Sequence, residues 1–199
     1  WIMPTVETLP LDEGLARPGT HDKTCSDTGT ELRDVARVAT DGTVFLRNLR
    51  RPGTVKRGTV LIDVSGSMAL SDSDIETLIA AVPMATVAVY SSQPRCSAAI
   101  VIVAKDGKKA KRISDGRHGG GNGCDGPALL WLSRQAQPRV WVCDGVVTGW
   151  TDGASSLLKA ECDAICQAAR ILHVNPDRHA GTPIAQCVLD ELRKKRLVK

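Results

Sequence analysis

Residues 58–82 read GTVLIDVSGSMALSDSDIETLIAAV, and this stretch decides the fold. Its first part, GTVLIDV, is a continuous apolar run of the kind buried on both faces of a parallel sheet. The run closes on Asp63 and Val64, after which Ser65, Gly66 and Ser67 break it. IETLIAAV then has helical spacing and stops at Pro83, and Ser73 followed by Glu76 predicts a capping box at its start. A buried strand, a polar turn and a helix make the opening of a βαβ unit.

The pattern continues downstream. ATVAVYSS (85–92), SAAIVIVA (97–104), PRVWVCDG (138–145) and ARILHVN (169–175) read as strands. Helices are expected from Asp125-Gly126-Pro127 through ALLWLSRQA, over 153–169, and over TPIAQCVLDELRKKR at 182–196. Strands alternating with helices indicate an α/β layered domain with a mostly parallel sheet. The connection from ATVAVYSS to SAAIVIVA is too short for a parallel crossover, which predicts one antiparallel edge strand. Upstream, TVFLRNL (43–49) reads as a strand behind the Asp41-Gly42 turn, and Leu32, Val35 and Val38 have helical spacing. Residues 1–30 hold Pro4, Pro10, Gly14 and Pro18 with no period, so they are expected to be an irregular arm before a single domain over 31–199. The opening at Trp1 suits a processed chain or part of a longer polypeptide.

The chain has 199 residues, 42% of them hydrophobic and 3% aromatic, so its core must be aliphatic. No apolar run approaches the ~18 residues of a membrane span, and no secretory signal is evident. The seven cysteines have no CxxC spacing, and the four histidines complete no zinc pattern; a reducing, cytoplasmic setting is expected. The net charge of +4 gathers at 47–57, 105–118 and the C-terminus, as solvated faces or as contacts for phosphate or acidic proteins.

Sites in open α/β sheets form beyond the carboxyl ends of strands. Asp63 and Asp144 both stand there, and the Gly-rich loop 119–123 leads into a helix at the same edge. In an extended stretch residues two apart point the same way, so Asp63, Ser65 and Ser67 are expected to aim at one spot, with Gly66 allowing a sharp turn. Such a set offers oxygen and almost no nitrogen or sulfur, which suits Mg²⁺ first and Mn²⁺ next. Cys124 and Cys143 are expected to pack only.

Asp63-x-Ser65-x-Ser67 after a buried strand resembles the metal-ion-dependent adhesion site of von Willebrand factor A (VWA) domains. IDVSGSM is similar to the intracellular branch of that family, and the resemblance covers roughly residues 55–198, including GGGN…P…L and VWVCDG. It implies a three-layer, Rossmann-like fold with helices on both faces of the sheet. It also implies that Ser65 and Ser67 ligate Mg²⁺ directly, that Asp63 ligates through water or orients a bound water, and that Asp144 holds coordinating waters. A threonine of the second loop completes the family's set; Asn122 stands at that place here, with Asp125 close enough in sequence to serve instead. The last position is left to an Asp or Glu of a protein partner.

VARVATDGTVFLRNLRRPG (35–53) is similar to the segment leading into chelatase-type A domains, which implies a ring-forming ATPase or multi-subunit assembly as partner. GGGNGCDGPALLWL (119–132) is similar in layout to the A domain of the Ro family, which implies RNA; the shortage of aromatics for stacking weighs against it. A third expectation is a structural subunit of a particle such as a virion, with the arm ordered on a neighbour. A hydrolase is not expected: the loops hold no histidine but His118, and no triad order is present.

Overall fold

In a computed structural model, the described residues are 3–15, 22–26, 31–32, 45–49, 58–93, 97–116, 124–147, 154–176 and 182–195. The chain divides into two compact units, Arg17–Thr54 and Trp1–Ala16 with Val55–Lys199. Compactness therefore divides the chain at two places, neither of them the expected boundary at 30/31.

The smaller unit contains strands β3 (Asp22–Ser26), β4 (Glu31–Leu32) and β5 (Phe45–Leu49), paired antiparallel in the order β3-β5-β4. The strand expected in TVFLRNL is β5. Leu32, read as helical, is extended and pairs with Phe45; Val35 and Val38 lie outside the described residues.

The larger unit is α/β and has, among the described residues, a mixed sheet of eight strands and four α-helices. Its elements are β1 (Thr5–Thr8), β2 (Leu11–Gly14), β6 (Thr59–Asp63), α1 (Asp72–Ala81), β7 (Thr86–Gln93), β8 (Ser97–Lys105), β9 (Lys108–Ala110), α2 (Asp125–Leu132), β10 (Arg139–Val142), α3 (Ser156–Ala169), β11 (Ile171–Val174) and α4 (Ile184–Lys194). The sheet order is β11-β10-β6-β7-β8-β9-β2, with β1 also paired to β8. β6 is parallel to both its neighbours, β10 and β7, and β10 is parallel to β11.

Two expectations are corrected here. β8 is antiparallel to β7, as its short connection requires, but it is not the edge. Beyond it lie β9, joined through a turn in which Asp106 (φ 51°) and Gly107 (φ 80°) are both left-handed, and then β2. The irregular arm is corrected too, because residues 5–14 supply β1 and β2. β1 lies parallel to β8, Thr5 opposite Ala99. All four of its side chains are exposed, so no apolar alternation marks it; main-chain pairing holds it, and the buried Leu9 pins its end.

The helix after β6 starts two residues earlier than expected. Ser71 is the N-cap and Asp74 completes the capping box, whereas Glu76 accepts from Lys109 at 3.0 Å. The α2, α3 and α4 helices fall where the sequence pattern puts them.

Alternation along β6 feeds two hydrophobic clusters. Val60 and Ile62 join Ile75, Leu78 and Ile79 of α1 with Val188 and Leu192 of α4. Leu61 joins Leu129 and Leu132 of α2, Trp141, and Cys162 of α3. Each such aliphatic side chain stabilises the fold by roughly 1.5–3 kcal/mol when fully buried. No helix among the described residues is long and apolar enough to cross a membrane.

Candidate metal centre

β6 and β10 are neighbours in register, Ile62 opposite Val142, so the residues that leave their carboxyl ends emerge side by side. β7 lies on the other side of β6, with Tyr90 opposite Asp63. The order of the sheet reverses between β6 and β10, the kind of switch point at which open α/β sheets leave a crevice.

The Asp63 carboxylate, 4% exposed, closes a local turn. Its Oδ1 accepts from the Ser65 backbone N–H at 2.8 Å and its Oδ2 from the Ser65 hydroxyl at 2.9 Å. Ser65 Oγ is 3.1 Å from Ser67 Oγ. The three side chains do converge, though not by extended alternation: Met68 N–H donates to Ser65 O at 3.1 Å, so Ser67 sits inside a tight turn. The left-handed position falls at Ala69 (φ 50°), three residues after Gly66.

Asp144 comes from the loop after β10. Its Oδ1 accepts from Val146 N–H at 2.9 Å, and its main-chain carbonyl accepts from Asn175 Nδ2 at 3.0 Å. Gly145 holds φ 77°, and a Cβ there would stand 3.1 Å from His173 Cε1. The Cys143 thiol lies between the two acids, donating to Asp63 Oδ2 at 3.6 Å and to Asp144 Oδ1 at 3.7 Å. Among the described residues, Asp63, Cys143 and Asp144 each bring a ligand-type atom within 4.8 Å of the others.

Asp125 is not in that group. It begins α2, is 2% exposed, and accepts from the Tyr90 hydroxyl at 2.6 Å. Asn122 lies outside the described residues. Of the six residues expected at the site, Asp63, Ser65, Ser67 and Asp144 thus stand together, and Asp125 stands apart on a phenol.

Burial sets the electrostatics. It pushes the Asp63 carboxyl up to about 6, partly offset by the two bonds from Ser65. It pushes Asp125 up to about 7, with Asp63 and Asp144 adding to the rise and the Tyr90 bond opposing it. The Cys143 thiol is driven strongly upward by burial and by the neighbouring acids, so it stays protonated and serves as a donor. The cluster thus offers two carboxylates and two hydroxyls beside a thiol that is protonated in the metal-free protein.

Sequence reasoning missed four contributors. Cys143 packs with Leu61 and Trp141 as expected, and the β6–β10 register also sets its thiol beside Asp63, which spacing does not show. Tyr90 is the chain's single tyrosine, in an apolar strand, where a buried hydroxyl must find a partner. His173, stacked on Trp141 at 4.4 Å, has Nε2 3.0 Å from Cys143 O, and with Asn175 it braces the Asp144 loop from β11. Only pairing between strands far apart in sequence reveals these two. No protein-family model matches the chain, and neither a curated protein nor a solved structure is similar to it.

Proposed function

We propose that the larger unit is a VWA-type binding module. In this reading Mg²⁺, or Mn²⁺, is held by Asp63, Ser65, Ser67 and Asp144 and engages an acidic side chain of a protein partner. The observation that carries the reading is the meeting of Asp63 and Asp144 at the ends of adjacent parallel strands, with two serine hydroxyls beside them. Ligands ~2.0–2.1 Å from an octahedral ion stand about 2.9 Å apart along each edge. The Asp63–Ser65 and Ser65–Ser67 oxygen separations, 2.9 and 3.1 Å, suit that spacing. The oxygens outnumber the single thiol beside them, which suits a hard ion.

The layered form of the fold belongs to the same proposal: a mostly parallel sheet with α1 and α4 on one face and α2 and α3 on the other. The division of the core into two clusters along β6 supports it. When bound, the ion supplies a Lewis acid with a position open to a carboxylate. The chain's own residues preset the oxygens, exclude water from Asp63, and hold the Asp144 loop through Asn175. No nucleophile with a base is evident among the described residues, and the proposed role is binding rather than catalysis. The partner is a protein with an exposed Asp or Glu, in the cytoplasm, as part of a larger assembly.

The test is a thermal melt with Mg²⁺, Mn²⁺ or EDTA. Either ion should raise the transition and EDTA should reverse the rise, while Asp63→Ala should abolish the response. A wild-type melting curve indifferent to both ions would remove the metal from this reading.

A further inference from the structure

Tyr90 is fully buried in a core made almost wholly of aliphatic residues. Its hydroxyl is saturated: it accepts from Trp141 Nε1 at 2.9 Å and donates to Asp125 Oδ1 at 2.6 Å. Phenylalanine would fill the same volume without the cost of burying a hydroxyl. Asp125 is as unexpected, a carboxylate 2% exposed in the field of Asp63 and Asp144. Burying a charge is costly unless it is hydrogen-bonded, and the short phenol bond, with the N-terminus of α2, meets that need. The chain of bonds runs from β10 through β7 to the first residue of α2, crossing beneath the edge where Asp63 and Asp144 meet.

We propose that Tyr90 is a positioning residue for the metal edge: its hydroxyl, oriented by Trp141, withdraws Asp125 from direct ligation and pins the start of α2 to β7 and β10. This rests on the metal-binding reading above. Asp125 then acts on the ion through its charge, and α2 starts from a fixed point. Groups that orient a metal site from behind its ligands typically cost 10–100-fold in metal affinity when removed.

Tyr90→Phe keeps the ring and removes the strut. Asp125→Asn keeps an acceptor oxygen and removes the charge, and Asp125→Ala removes both. Two readouts separate the roles: hydrogen exchange of amides 129–132 without metal, and Mg²⁺ affinity from calorimetric titration. Tyr90→Phe and Asp125→Ala should lose exchange protection at amides 129 and 130, whose bonds close the first turn of α2, and Tyr90→Phe should bind Mg²⁺ about tenfold more weakly. Asp125→Asn should keep protection while losing affinity. Wild-type exchange together with wild-type affinity in Tyr90→Phe overturns the proposal. Should wild-type protein fail to bind Mg²⁺, the metal reading falls on its own. The exchange data then decide the strut, lost protection in Tyr90→Phe supporting it and retained protection overturning it.

Discussion

Ser65 binds the Asp63 carboxylate twice, through its main-chain N–H at 2.8 Å and its hydroxyl at 2.9 Å. Both bonds favour the ionised acid, yet burial outweighs them and leaves the carboxyl at about 6. The metal-free protein therefore carries a penalty at Asp63 that a cation would relieve.

Asp63→Asn should separate these effects. At pH 8 and in EDTA the variant should be more stable than wild type, because a desolvated charge is gone; a two-unit shift corresponds to roughly 3 kcal/mol as an upper bound. With Mg²⁺ the order should reverse, since the amide is a poorer ligand. Urea denaturation with and without Mg²⁺ measures both, and an unchanged order would contradict this account.

The pH dependence follows in sign. Asp63 and Asp125 have folded-state values of about 6 and about 7, above the 3.8 of an unperturbed aspartate. Protons thus bind the folded form more tightly. The stability they confer is complete below about pH 4 and is lost as pH rises through 6 and 7. The Mg²⁺-induced rise in melting temperature should run the other way, growing from pH 5 to pH 8 as the ion displaces those protons. Across that range the melting temperature should fall with pH in EDTA and stay nearly level in Mg²⁺; parallel slopes would count against both assignments.

Ala69, at φ 50°, sits in the left-handed region two residues after Ser67. Such a conformation costs a non-glycine residue roughly 1–2 kcal/mol, against up to ~1 kcal/mol of extra unfolded-state freedom for glycine. Ala69→Gly should be neutral or stabilising by about 0.5 kcal/mol, as read from the denaturation midpoint. A clear loss of stability would mean that the turn takes another form.

Gly145→Ala should do the opposite. It meets φ 77° and His173 Cε1 at 3.1 Å together, so the Asp144 loop has to shift. A loss of about 1–3 kcal/mol is expected, with weaker Mg²⁺ binding, because the Asn175 bond to the Asp144 carbonyl is displaced. Wild-type Mg²⁺ affinity in this variant would show that the loop's backbone does not set the site.

The sequence made the strand–helix alternation around Asp63 legible because β6, β7, β8 and β10 are apolar runs with clear breaks. It concealed β1 and β9, which are short, polar and held by main-chain bonds. The capping box slipped by two residues because Ser71-Asp74 and Ser73-Glu76 both fit its pattern, and only the pull of Lys109 on Glu76 separates them. At the site, the local turn Asp63–Ser67 could be read from spacing. The displacement of Asp125 onto Tyr90, and the thiol between the acids, depend on which strands lie side by side, and that is fixed by long-range pairing.

The place of β1 bears on how the sheet is protected. Thr5 lies far upstream in sequence of Ala99, the residue it pairs with, so the flank of β8 is completed by a distant part of the chain. Until that segment docks, β8 offers an open row of amides and carbonyls to any passing strand. In the folded protein Thr5–Thr8 covers that row, so the segment shields its own sheet from edge-to-edge pairing.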